Sequence, residues 1–112
     1  MIKGVGVDLV EIERIKQIKL KEQFINRILA KEEKAHYDSI THPKKQLEYL
    51  AGRFAVKEAY SKALGTGIGE TRFKDIVVLN DDKGKPYIKN QQHAHVSLSH
   101  TEHYCVAMVI LE

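Results

Sequence analysis

One long helical segment constrains this chain more than any other feature. Thr41-His42-Pro43 makes a good start, because proline lacks the N–H that a first helical turn leaves unpaired. The helix then runs to Leu64, and Gly65 is a natural stop. On a helical wheel, Leu47, Leu50, Ala51, Phe54 and Ala55 form the apolar face. Glu58 falls near the middle of that face, about 20° from Leu47 at roughly 100° per residue. A carboxylate there is costly unless it is paired, protonated or bound to a metal. The bland reading pairs Glu58 with Lys62 one turn on, and the pattern alone favours pairing over a metal.

Around this helix the other elements read as an α+β domain. Ile2 to Leu9 reads as a strand with Val5, Val7 and Leu9 on one face and Gly4, Gly6 and Asp8 on the other. Two glycines beside a carboxylate leave an uncrowded backbone, suited to close approach by another group. Glu11 to Leu20 reads as a helix, and Phe24 to Tyr37 as a helical stretch in two pieces. Thr66 to Thr71 reads as a loop and Ile76 to Asn80 as a strand. Asp81 to Lys85 makes a turn with Gly84, Pro86 to Lys89 a short strand, and Asn90 to His93 a loop. Ala94 to His100 and Tyr104 to Leu111 form a hairpin about Thr101, Glu102 and His103. The last strand is apolar on both faces, which predicts a central or doubly covered position. Helices gather in the first half and strands in the second, within one domain spanning residues 1–112 and without repeat or linker.

Composition narrows the classes. An apolar fraction of 43% supports a real core, and a domain this small gains from assembling with copies of itself. A net charge of +3 favours an anionic partner without demanding nucleic acid. The single cysteine, Cys105, sits in the apolar run to Leu111 and reads as a buried structural thiol. With no internal disulfide, no signal-peptide pattern in Met1 to Val10 and no membrane-length apolar stretch, a soluble cytoplasmic protein is expected.

Several residues carry candidate chemistry. Asp8 stands at a strand-to-helix junction with Glu11 three residues on, which resembles a capping box. Taken with Glu58, it suggests a hard cation instead, and magnesium fits, since it takes one or two carboxylates and completes its shell with water and phosphate oxygens. Arg53, Lys57 and Lys62 share the helix with Glu58, as a polyphosphate ligand would require, although Lys57 alone reads as a solvated residue. Gly65-Thr66-Gly67-Ile68-Gly69 follows a helix, so it is neither a dinucleotide fingerprint nor a P-loop. It reads as a C-cap and turn, or as backbone that approaches a ligand. His100 falls in phase with Val96 and Leu98, where a core histidine is the commoner case. The histidines His93, His95, His100 and His103 lack zinc-type spacing with cysteine. From Arg14 to Lys31 the only acid among six basic residues is Glu22, with Ile18, Phe24 and Ile25 interleaved, a surface suited to an acidic partner.

At this point the sequence resembles the small bacterial holo-acyl-carrier-protein synthases, a branch of the phosphopantetheinyl transferases, over almost its whole length. Gly4-Val5-Gly6-Val7-Asp8 with Arg14 downstream looks like the first motif of that family. Phe54-Ala55-Val56-Lys57-Glu58-Ala59-Tyr60-Ser61-Lys62-Ala63 looks like its signature helix, Gly65 to Gly69 like the loop that follows, and Val96-Ser97-Leu98-Ser99-His100-Thr101 like its late strand. The resemblance implies a long helix on a mainly antiparallel sheet and a homotrimer with sites between subunits. It implies transfer of 4′-phosphopantetheine from coenzyme A to a serine of apo-acyl carrier protein, releasing adenosine 3′,5′-bisphosphate. Asp8 and Glu58 would hold magnesium, and Lys62 would help the leaving phosphate. Arg53, the backbone of Gly65, Thr66 and Gly67, and His100 would contact the adenosine diphosphate end. Arg14, Ile18, Lys21, Phe24 and Arg27 would receive the acidic carrier protein.

The chain departs from some relatives at Ala35, near which they carry an aspartate considered for activating the serine. Here Glu58, a water on the metal, Glu32 or Glu33 would take that role. The competing reading is a non-enzymatic nucleotide- or RNA-binding module. Aromatic residues at 7% and no stacking pair at motif spacing count against it, and it leaves Asp8 and Glu58 unexplained.

Overall fold

Residues 1–65 and 72–112 are described in the computed structural model of the chain. A first strand, β1 (Gly4–Glu11), is followed by three short helices, α1 (Ile12–Lys16), α2 (Lys21–Ile28) and α3 (Lys31–Ser39). The long helix α4 (Pro43–Leu64) comes next, then a 3₁₀ turn (Phe73–Asp75). Four strands close the chain: β2 (Val78–Asn80), β3 (Pro86–Ile88), β4 (Ala94–His100) and β5 (Tyr104–Leu111).

The sheet order is β1-β5-β4, antiparallel throughout, with β2 and β3 forming a separate antiparallel pair. The register sets Asp8 opposite Ala107 and His100 opposite Cys105. The expected hairpin has the predicted bounds, and β5 is central as its two apolar faces required. α4 starts at Pro43, with His42 Nδ1 accepting from the Lys45 N–H, and ends where Gly65 turns left-handed at φ 79°. Gly84 also takes a positive φ, 86°, in the turn that joins β2 to β3.

Three expectations need correction. The helix from Glu11 to Leu20 is only α1, because β1 continues to Glu11 and pairs there with Tyr104. The strand from Ile76 shortens to Val78, after the 3₁₀ turn. The apolar face assigned to α4 is too narrow: from Leu50 to Ala63 the helix is buried on nearly every side, between the sheet and the layer of α3, β2 and the 3₁₀ turn.

Sheet and helix meet unusually closely. A Cβ added at Gly6 would lie 1.8 Å from the Ala59 carbonyl oxygen, and one at Gly4 would lie 2.1 Å from that of Ala63. Only bare backbone fits here, so the glycine face of β1 is the face that packs on α4. Val5, Val7 and Leu9 point the other way and are exposed. On the neighbouring strand Tyr104, Val106 and Met108 are exposed too, so one broad face of the sheet is apolar and uncovered in the single chain. Cys105, on the inner face, is buried as expected, and burial pushes its thiol up to about 11.

Glycine replacement should separate the tight contact from a loose one. Gly6→Ala should cost about 3 kcal/mol, the upper end for overpacking, since a helix carbonyl cannot yield as a side chain does. Gly52→Ala meets only the Leu98 side chain, at 3.2 Å. It should stay within about 1 kcal/mol of the parent, because alanine favours the helix by a similar amount. Urea unfolding of both variants measures the difference, and equal losses would contradict the close β1–α4 approach.

Candidate active site

The glycine contact brings the carboxylate of β1 to the acidic and basic residues of α4. Asp8 follows Gly4 and Gly6 on the inward face, and its side chain is only 15% exposed. Lys62 Nζ lies 3.1 Å from Asp8 Oδ1 and donates to the Val7 carbonyl oxygen at 3.1 Å. Asp8 is therefore no helix cap, since it sits within β1 and α1 has no side-chain cap. Nor does Lys62 pair with Glu58 one turn away, because it reaches across to β1 instead.

Glu58 is half-buried and forms no ion pair among the described residues. Burial holds its carboxyl above the usual carboxylate range, and the negative charge of Asp8 raises it further; Lys62 opposes both. Two carboxylates thus lie near enough for one charge to act on the other, with one exposed lysine beside Asp8. Such a pair has oxygen donors and excess negative charge, the donor set that suits a small hard cation.

Lys57 is not solvated. It is fully buried, with Nζ 2.5 Å from Glu33 Oε1, 2.6 Å from the Ile28 carbonyl oxygen and 3.0 Å from that of Phe73. Burial lowers its pKa, and Glu33 opposes that shift. The other acceptor positions of Glu33 take the N–H groups of Ala30 and Val78. Glu33 is therefore structural and unavailable as a base, while Glu32 forms a surface ion pair with Lys89 at 2.7 Å. Lys57 had a readable signal, for it stands seven residues after Leu50, about 20° away on the same wheel that drew attention to Glu58.

The remaining candidates divide by exposure. Arg53 is buried, donates to Asn80 Oδ1 and lies 4.4 Å over the Tyr49 ring. Its Nε has no hydrogen-bond partner among the described residues. His100 is exposed, so the core reading fails, and its Nε2 is 3.6 Å from Glu48 Oε2. With Leu9, Ser99, Thr101, Tyr104 and Val106 it lines a hollow of about 320 Å³ on the apolar sheet face. Gly65 is exposed at the end of α4, and the expected ligand residues Thr66 and Gly67 lie outside the described residues. Arg14 and Arg27 are exposed; Ile18 and Lys21 are half-buried, Lys21 donating to the Lys16 carbonyl oxygen at 3.0 Å. Phe24, also half-buried, packs against Phe54 with ring centroids 5.5 Å apart.

Known proteins resemble this chain in sequence and in fold. Residues 4–109 match the 4′-phosphopantetheinyl transferase superfamily. A holo-[acyl-carrier-protein] synthase of Staphylococcus haemolyticus is 53% identical, over 100% of this chain and 98% of its own length. A crystal structure of the Bacillus anthracis synthase in complex with CoA (3′,5′-ADP) superimposes with a TM-score of 0.90. It is 45% identical, covering 100% of this chain and 97% of that one. The Helicobacter pylori synthase in complex with coenzyme A gives 0.83 at 32% identity, covering 96% and 99%. The chain belongs to the holo-acyl-carrier-protein synthases, a family of phosphopantetheinyl transferases. It is thus an enzyme of the α+β class, and the family resemblance read from the motifs holds over the full length.

The carboxylate pair of this family member should leave a pH signature. A carboxyl whose folded pKa lies above its unfolded one of about 4.5 favours the fold when protonated. Its ionisation therefore weakens the fold as pH rises from that value through the folded pKa. In chelator-treated protein Glu58→Gln should melt above the parent at about pH 7, and the gain should vanish near about pH 4. Thermal melts across this range read the sign; a constant or inverted difference would remove the strained-carboxylate account.

Proposed function

We propose that this chain transfers the 4′-phosphopantetheine group of coenzyme A to a serine hydroxyl of an apo-acyl carrier protein. The observation that carries the reading is the convergence of Asp8, Glu58 and Lys62 where β1 meets α4. Full-length likeness to synthases whose structures contain coenzyme A supports it.

In the proposed reaction the serine oxygen attacks the phosphorus that bears the pantetheine arm. A new P–O bond forms to the carrier, the pyrophosphate P–O bond breaks, and adenosine 3′,5′-bisphosphate leaves. Asp8 and Glu58 would hold magnesium, which when bound supplies charge neutralisation at the pyrophosphate oxygens. Lys62 adds positive charge beside the leaving oxygen, and its exposure lets it exchange Asp8 for phosphate. Glu58 or a water held beside it would accept the serine proton. We assign contact with the coenzyme to Lys62, Gly65 and His100. Arg53 would have to leave Asn80 and Tyr49 to reach it.

The partner surfaces follow from exposure and charge. We propose that Arg14, Ile18, Lys21, Phe24 and Arg27 on α1, α2 and their connection receive the acidic carrier protein. Such contacts raise the association rate and weaken with salt. We also propose that the apolar face of Val5, Val7, Leu9, Tyr104, Val106 and Met108 packs on further copies of the chain, in the homotrimer that the resemblance implies. A contiguous exposed apolar surface of this kind marks an interface. We also propose that the enzyme works in the cytoplasm; no helix among the described residues is long and apolar enough to cross a membrane.

Intact-mass analysis of an apo-acyl carrier protein incubated with this protein, coenzyme A and magnesium should show a gain of one phosphopantetheine. The gain should be absent with chelator, and Glu58→Gln should lower the rate by about 10²-fold or more, the size of a lost positioned acid–base group. A folded protein that modifies none of several carrier proteins would remove the transfer reading. A second test addresses assembly: Val106→Lys should reduce the mass seen in sedimentation to that of one chain. Persistence of the parent's assembly would show that this face is not the interface.

A further inference from the structure

The buried pair Lys57–Glu33 is the largest piece of polar machinery that the proposed reaction leaves unused. Lys57 adjoins Glu58 on α4, about 100° around the helix, and its ammonium group reaches Ile28, Glu33 and Phe73, not the carboxylate site. All three of its N–H donors are used, on Glu33 Oε1, the Ile28 carbonyl oxygen and the Phe73 carbonyl oxygen. Ile28 is the last residue of α2. A helix leaves its final carbonyls unpaired and its C-terminus negative, so a buried cation there both fills an acceptor and meets the helix dipole. Glu33 completes the frame by accepting from Ala30, at the head of α3, and from Val78, at the head of β2.

The pair's backbone partners, two carbonyl acceptors and two N–H donors, belong to separate elements, so the pair ties their relative positions together. α2 carries Lys21, Phe24 and Arg27; besides the Lys57 bond it meets the rest of the chain through the tilted contact of Phe24 with Phe54 and through Ile25 and Ile28 in the shared apolar core. An aromatic contact can slide, whereas a hydrogen bond of 2.6 Å from a fully buried ammonium group sets a length and a direction.

We propose that Lys57 and Glu33 form a positioning pair, which holds the basic helix α2 at a fixed height relative to Glu58 so that a bound carrier protein presents its serine to the carboxylate site. The inference rests on the transfer reading given above. It assigns a specific job to a lysine that touches neither coenzyme nor reacting atoms. Loss of the pair should therefore act on use of the carrier protein and leave the coenzyme side unchanged.

The variant to make is Lys57→Met/Glu33→Gln, which removes both charges together and avoids an unpaired buried carboxylate. Measurements belong below its own melting temperature. Amide hydrogen exchange should quicken across Lys21–Ile28 while Leu50–Ala63 stays protected. The KM for carrier protein should rise about tenfold, as expected when a docking surface is misplaced by a fraction of an ångström to an ångström. The KM for coenzyme A should stay within about twofold of the parent, because the residues that contact it are unaltered. A role in stability alone would lower the melting temperature and leave both KM values unchanged, and that result overturns the proposal. So does a rise in both KM values together, or unchanged protection of α2. Adding Glu33→Gln alone, which keeps Lys57 and its two carbonyl bonds, should leave the carrier KM nearer the parent's than the double variant does. If the parent protein modifies no carrier, the docking claim falls with the transfer reading. If the parent transfers normally and the double variant matches it on both substrates, only the positioning claim falls.

Discussion

The architecture depends on a contact that admits no side chain. At Gly4 and Gly6 the first strand lies directly on the carbonyl groups of Ala59 and Ala63, closer than any Cβ would allow. Alanine on the helix and glycine on the strand shorten the distance between backbones, and the short distance is what lets Asp8 reach Lys62 and act on Glu58. A larger residue at either glycine would lift the strand and carry the carboxylate away with it. The same contact fixes the other face of β1. With the glycines inward, Val5, Val7 and Leu9 must point outward, because side chains alternate along a strand.

Two kinds of buried charge are handled differently on α4. Lys57 and Glu33 neutralise each other and meet further backbone partners, so each is compensated within the chain. Glu58 is compensated incompletely: its near neighbours are a like charge and a lysine already engaged with that charge. Unfavourable burial of this sort persists where a ligand relieves it, and a cation with phosphate oxygens would do so. The stable pair and the strained pair lie one residue apart in sequence, on different sides of the helix.

Much of the fold was legible in the sequence because its signals are local. Proline at the start and glycine at the end bounded α4, and the hairpin of β4 and β5 followed from alternation and a polar turn. What could not be read depended on distant residues. Asp8 looked like a cap for the next helix because Glu11 follows at capping distance, but pairing with β5 carries the strand past it. The Glu58–Lys62 pair looked right at one helical turn, but Lys62 finds its partner 54 residues away. Lys57 looked solvated because lysine usually is, and its partner Glu33 lies 24 residues off on a helix with no local mark of the contact. Asp8, Glu58 and Lys62 were recognisable as a group from the motifs, while their geometry required the strand–helix contact. Burial was harder to read than position: Arg53 is buried, and His100, in phase with Val96 and Leu98, is exposed and not a core residue.

The alternation of β1 has a further consequence for where chemistry can occur. Asp8 faces α4 while Leu9, the next residue, faces outward into the hollow that His100 lines. The carboxylate site and the apolar face therefore lie on opposite sides of one strand, separated by little more than its thickness. If other copies of the chain cover that face, their groups come to the edge of the Asp8 site without any change in the fold of the single chain. A small domain cannot enclose a large anionic coenzyme within its own core, since so much of its chain is already surface. In the proposed assembly, a site at a strand with the helix on one side and another copy on the other would let a chain of 112 residues surround such a ligand with protein on more than one side.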